Sequence, residues 1–170
     1  FDYSITFNNT NSSRIYNSSL EGQEGVYMVS SHFNLFYNNS VDVGGVTWND
    51  AAVILSGSST NNTFANSTID PSSRRYLEFA SGSSRNVFTN ISLTGSGSMS
   101  IGEPNNSIDN ISNINGGQIF FYSKGNFKAE NDCPAGINGK VGGWIYMYDC
   151  DNIVINNSQT DSINNRGIQL

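Results

Sequence analysis

The chain has 170 residues with only 8 Lys and Arg and a formal charge of -6, so it fits one domain and lacks the positive surface that nucleic-acid phosphates require. Charged residues are only 13%, whereas 26 Asn and 26 Ser supply a neutral polar surface, unlike a typical cytosolic enzyme. No apolar run approaches the roughly 20 residues that span a bilayer, no signal peptide is present, and the start at Phe1 suits a processed protein or an excised fragment.

After the alternating opening segment of residues 1 to 7, a frame Asn-x-apolar-x-Asn recurs along the chain. It stands at 34 to 38, 62 to 66, 86 to 90, 106 to 110 and 152 to 156; residues 13 to 17 lack only the first Asn, and 125 to 129 keep only the central apolar residue. The central residues are Ile15, Phe36, Phe64, Phe88, Ile108, Phe127 and Val154, at spacings of 21, 28, 24, 20, 19 and 27. Irregular periods of this size point to a solenoid whose turns carry insertions of different length.

Each frame is followed by a second apolar segment, at 25 to 29, 52 to 55, 76 to 80, 98 to 101, 118 to 122, 144 to 148 and 167 to 170. These segments are short, rich in β-branched and aromatic residues and bounded by Gly, Ser and Asn, as strands are. Leu20, Val41, Ile69 and Leu93, soon after the second Asn, predict a short third face, and no stretch has a helical period with caps. The expectation is an all-β, right-handed parallel β-helix of about seven coils, one domain over residues 1–170, without a capping helix.

In each frame the two Asn share the parity of the central residue, which predicts that all three side chains point inward. A buried amide must be hydrogen-bonded, and an Asn stacked on the Asn of the next coil offers donor and acceptor together. The expected ladder comprises Asn34, Asn38, Asn62, Asn66, Asn86, Asn90, Asn106, Asn110, Asn152 and Asn156.

This repeat resembles that of the NosD-like, or CASH, right-handed parallel β-helix family, over roughly residues 13 to 170. The resemblance implies a secreted protein, either carbohydrate-active or similar to the sheath and surface-layer proteins of methanogenic archaea. It specifies fold better than function. Copper, which the NosD name suggests, favours His, Cys and Met, but Met28, Met99 and Met147 fall on inward parity and read as core.

Cys133 and Cys150 form an even pair without CxxC spacing, which points to a disulfide, with free thiols as the alternative; His32 is the only His and too few ligands accompany it for a closed zinc site. Asp132, Asp149 and Asp151 would gather near that disulfide, as a calcium site or, more simply, as turn aspartates. The resemblance to polysaccharide lyases directs attention to clustered carboxylates, and Asp70, Arg74, Arg75 and Glu78 are the one compact charged group; a local ion pair on a solvated loop explains them as well. No catalytic residue, metal or cofactor is assigned.

The chain holds ten Asn-x-Ser/Thr sequons where chance predicts about five. Six of them use the second Asn of a frame, at an inward position, which leaves Asn8, Asn11, Asn61 and Asn105 as the candidate glycosylation sites. On the outward parity of the second segments, Tyr27, Ile54, Tyr76, Phe120, Tyr122, Trp144, Tyr146 and Tyr148 form a column, interrupted by Ser98 and Ser100. An apolar column of this size calls for a partner: a second chain, a glycan, or a covering loop such as 124 to 142.

Neither end of the sequence reads as a cap, so the expectation is that terminal coils template the addition of another chain; the competing explanation is a piece of a longer solenoid. The leading expectation is therefore a non-enzymatic structural protein of an extracellular cell envelope, a homopolymer joined end to end and laterally, with covalent or bound glycan as a further partner. The alternative is a secreted β-helix protein that binds or cleaves polysaccharide.

Overall fold

The computed structural model describes residues 3–44, 51–72, 75–80, 82–95, 97–103, 105–112, 117–160 and 168–169, the last two and Val141 by backbone alone. It is a β-solenoid of about 6 turns whose regular structure is nearly all β. The short helical turn Ala129–Asn131 is the one exception among the described residues.

Each of the first coils runs through three faces. Strands Tyr3–Asn8, Glu24–Val29, Ala51–Ser56, Arg75–Phe79 and Ser98–Ile101 stack in parallel as a first sheet. Strands Arg14–Tyr16, Leu35–Tyr37, Thr63–Ala65, Val87–Leu93 and Ser107–Ser112 stack as a second. The predicted third face is the stack of Ser19–Gly22, Ser40–Val43 and Thr68–Asp70 on the end of Val87–Leu93.

Corners are made by residues of positive φ. Ser12, Phe33, Asn61, Arg85, Gly125 and Asn152 precede the second face or its counterpart in later coils; Asn17, Asn38, Asn66, Asn90, Asn110, Gly139 and Asn157 follow it. Asn is the non-glycine residue best suited to this left-handed geometry, which explains its recurrence at the second corner.

Phe36, Phe64 and Phe88 are in register between coils and form one stack, with ring centroids 4.5 and 4.7 Å apart and planes within 6°. Val26, Met28, Val53, Leu55, Leu77 and Phe79 close the same core from the first sheet. The three Met are buried, Met28 and Met99 in this core as their parity predicts, and Met147 in a separate cluster.

The inward-pointing expectation holds for the first Asn of the frame only. The Nδ2 and backbone N–H of Asn34 both donate to Oδ1 of Asn62, those of Asn62 to Asn86, and those of Asn86 to Asn106, at 2.9 to 3.0 Å. The second hydrogen of each amide goes to a carbonyl on the neighbouring coil: Thr10, Ser31, Ser59 and Ser83 in turn. Every amide in this file is satisfied.

The second Asn points outward instead. Asn38, Asn66, Asn90 and Asn110 are exposed, because a left-handed residue, whether just after the strand as at Asn38 and Asn66 or within it as at Asn90 and Asn110, breaks the alternation that the parity argument assumes. They form an outer file in which Asn38 donates to Asn17, Asn90 to Asn66 and Asn110 to Asn90.

The frame also shifts in the last coils. Ile137 and Ile155 are partners in a two-stranded sheet, so these are the central residues, not Phe127 and Val154. Val154 is 66% exposed, and Phe127 lies beneath the Arg85 guanidinium at 5.8 Å. Asn152 therefore occupies a corner and Asn156 an exposed strand end, and neither belongs to the inner file.

The larger departure is a reversal. Gln118–Ser123 pairs antiparallel with Ser107–Ser112, through Ile111 with Ile119 and Ser112 with Gln118. From there a second stack builds in parallel, Gln118–Ser123 on Trp144–Tyr148 on Ile168–Gln169. It does not continue the first sheet, which ends at Ser98–Ile101.

Candidate functional site at the junction of the stacks

The reversal rearranges the aromatic column. Gln118–Ser123 and Trp144–Tyr148 form a wall with apolar side chains on both faces. Phe121, Trp144 and Tyr146 join the main core, while Ile145 and Met147 pack on Ile137, Phe120, Tyr122 and Cys150 in a second cluster. Trp144 and Tyr146 are consequently buried, contrary to the outward expectation.

Tyr76 is buried for a different reason: the register slips between Arg75 and Leu77, and such an irregularity re-aims the intervening side chain. Its ring sits 6.1 Å from Trp144, and its hydroxyl donates to the Gly95 carbonyl. Burial, reinforced by the charges of Asp70 and Tyr146, pushes its pKa up to about 12.

Tyr27, Ile54, Phe120 and Tyr122 remain half-buried, and only Tyr148 is exposed. Burial raises the Tyr122 pKa too. Segment 124 to 142 covers part of this surface, with the Lys140 ammonium 4.8 Å from the Phe120 ring centroid. The column is thus not one continuous face.

A cavity of about 280 Å³ opens where the first sheet stops. Met99 and Ile101 line it from the last strand of that sheet; Phe121, Tyr146, Met147, Tyr148 and Asp149 line it from the second stack. Its volume is near the lower end for small-ligand sites, and its wall is apolar and aromatic with one carboxylate.

The strand beside the cavity has an open edge. Gly102 N–H donates to the Phe79 carbonyl, so by the alternation of a parallel ladder Ser98 and Ser100 also turn their backbone groups toward Arg75–Phe79. Those of Met99 and Ile101 face away from it, and among the described residues no strand pairs with them.

The other candidates resolve as local structure. Arg75 and Glu78 form an ion pair at 2.6 Å, whereas Asp70 accepts from the Ser72 N–H and the Thr94 hydroxyl; Arg74 lies outside the described residues. Cys133 and Cys150 are disulfide-bonded within the chain. Asp132 accepts from the N–H groups of Gly125 and Cys133. Asp151 pairs with Lys124 at 2.8 Å, which lowers the carboxyl pKa and raises that of the ammonium. Among the described residues no three His, Cys, Asp or Glu are grouped to hold a metal, and no helix is long and apolar enough to cross a membrane.

Of the candidate acceptors, Asn8 and Asn11 are exposed, whereas Asn61 and Asn105 are half-buried and the Asn105 side-chain carbonyl accepts from the Phe127 N–H. Asn17, Asn38, Asn66, Asn90 and Asn110, placed inside by parity, are on the surface with their amides engaged in the outer file.

Two further polar files escaped the sequence reading. Thr10 N–H donates to the Ser31 hydroxyl and Ser31 N–H to that of Ser59; Ser18 N–H donates to Oδ1 of Asn39 and Asn39 N–H to the Ser67 hydroxyl. The signal was a Ser three places before the inner Asn, as at Ser31 and Ser59, and a small polar residue five places after it, as at Asn39 and Ser67.

No protein-family model matches the chain, and no curated protein or solved structure matches it either.

Proposed function

We propose that this chain is a structural protein of an extracellular cell envelope, a sheath or surface layer of the NosD-like β-helix type, in which copies of the solenoid pack side by side. The observation that carries the reading is the use of the polar interior. The inner Asn file and the two Ser and Asn files bond coil to coil along the stack and do not converge on a reacting point. Such a stack is cross-bonded along its length, and only 13% of its residues are charged. The disulfide supports an oxidising, extracellular location.

Lateral packing is assigned to the exposed rings of Phe33, Tyr16 and Tyr37, in place of the column that the wall consumes. Tyr16 and Tyr37 are register partners with centroids 6.2 Å apart. Electron microscopy of the purified chain tests this. Sheets, tubes or filaments that disperse in a Tyr16→Ser, Tyr37→Ser variant of unchanged circular dichroism are the expected result; single particles of the unaltered chain overturn it.

A second reading, a secreted carbohydrate-binding or polysaccharide-cleaving protein, draws on the same two rings, because exposed tyrosine rings suit the faces of sugar rings. Single particles, together with glycan binding that the double variant loses, would establish the binding form of that reading.

A further inference from the structure

We propose that the Ser98–Ile101 edge and the adjoining cavity form a strand-addition site for an extended peptide segment of a partner protein. The occupant would carry one apolar side chain of about Leu or Phe size, next to a basic residue. Three observations converge on it.

The first is the backbone. Met99 and Ile101 offer N–H and C=O groups along an edge that no described strand occupies. Natural sheets blunt such edges with Lys, Pro or a bulge, but Ser-Met-Ser-Ile carries none of these, and the only irregularity lies one strand further in. An incoming strand extends the five-stranded sheet to six and satisfies these groups.

The second is the cavity. Met99 and Ile101 are the inward residues of the same strand and also line the 280 Å³ space, so a strand laid along the edge has alternate side chains directed to that side. One apolar side chain there meets Phe121, Tyr146 and Met147. The third is charge: Asp149 is exposed at the cavity, and a Lys or Arg in the occupant complements it.

Size argues for a peptide over a second copy of this chain. A four-residue edge with one pocket falls well below the roughly 20 to 30 residues per side of a stable protein interface, whereas strand addition works through a few backbone bonds and one or two anchored side chains.

The test uses a blocked synthetic hexapeptide, Lys-Ser-Leu-Ser-Val-Lys, in two N-methylated forms: one blocks the N–H groups of the pairing edge and the other those of the opposite edge. Titration of the intact chain is followed by amide hydrogen exchange at Met99 and Ile101 and by calorimetry.

The expected result is protection of both amides, a loss of about tenfold or more when the pairing edge is blocked, and little change when the opposite edge is blocked. Asp149→Asn should weaken binding severalfold and flatten its salt dependence. Absence of binding, equal binding of the two methylated peptides, or protection of both amides in the free chain, as self-association would produce, each overturns the proposal.

Discussion

Asn62→Ala tests the account of the interior most directly. Asn62 is fully buried; its Oδ1 accepts two bonds from Asn34, and its Nδ2 donates to the Ser31 carbonyl and to Asn86. Alanine removes four hydrogen bonds and strands at least the Asn34 backbone N–H and one hydrogen of the Asn34 amide. The Ser31 carbonyl loses a donor, while Oδ1 of Asn86 keeps the Asn62 backbone N–H. An orphaned buried polar group costs about 1 to 3 kcal/mol, so the expected loss is about 3 to 6 kcal/mol. That is a large part of the roughly 5 to 15 kcal/mol that holds a domain together.

The control is Asn90→Ala in the outer file, where water replaces the lost partner and the cost is about 1 kcal/mol, mostly the left-handed preference of Asn at φ 53. Asn90→Gly should be nearly neutral. Urea unfolding of the oxidised protein, followed by far-ultraviolet circular dichroism, measures both. If Asn62→Ala came within about 1 kcal/mol of Asn90→Ala, the inner file would not be the structural spine argued here.

Phe64→Ala, in the middle of the three-ring stack, is expected to cost about 3 to 5 kcal/mol in the same assay. Cys133→Ser with Cys150→Ser releases a loop with a sequence separation of 17, for a loss of about 3 kcal/mol; hydrogen exchange should rise in residues 136–156 far more than in the first coils. Tyr76 stays protonated in the folded state up to about pH 12 but ionises near pH 10 when unfolded, so its contribution is complete below pH 10 and is lost as pH rises toward 12. Over that interval Tyr76→Phe should show a shallower fall in stability than the unaltered chain, and tyrosinate absorbance should lose its latest-titrating component.

The parts of the fold legible in the sequence were those that obey strict alternation. Phe36, Phe64 and Phe88, the inner Asn and the third face at Val41, Ile69 and Leu93 stand where a period of two places them. The second Asn failed because the residue that makes the corner also ends the alternation. Val154 failed because Asn152 and Asn156 matched the frame in a coil that has Ile153 where earlier ones have the inner Asn, and Phe127 failed because only its apolar character was matched, in a coil that has Ala135 at the inner-Asn place.

The reversal had a signal that period counting passes over. Asn115-Gly116, between the apolar strands ending at Ser112 and starting at Gln118, is the dipeptide that favours a tight hairpin. Those two residues lie outside the described residues; the antiparallel pairing of Ser107–Ser112 with Gln118–Ser123 is what shows the reversal of chain direction. A repeat search assumes that each period continues the last, so the hairpin was read as another coil.

This one turn accounts for both features of the candidate site. In an uninterrupted solenoid the sheet edge would be taken up by the next coil, and the second segments at 118 to 122 and 144 to 148 would present alternate residues outward. Reversal carries those segments to the other sheet, where apolar residues pack on both of their faces and Trp144 and Tyr146 become core. It also leaves Ser98–Ile101 without a successor among the described residues, in the middle of the chain, next to a cavity that the displaced strands line. An insertion that restored a parallel crossover between Ser112 and Gln118 would therefore close the edge and expose the aromatic residues together, which ties the two surfaces to a single event in the chain path.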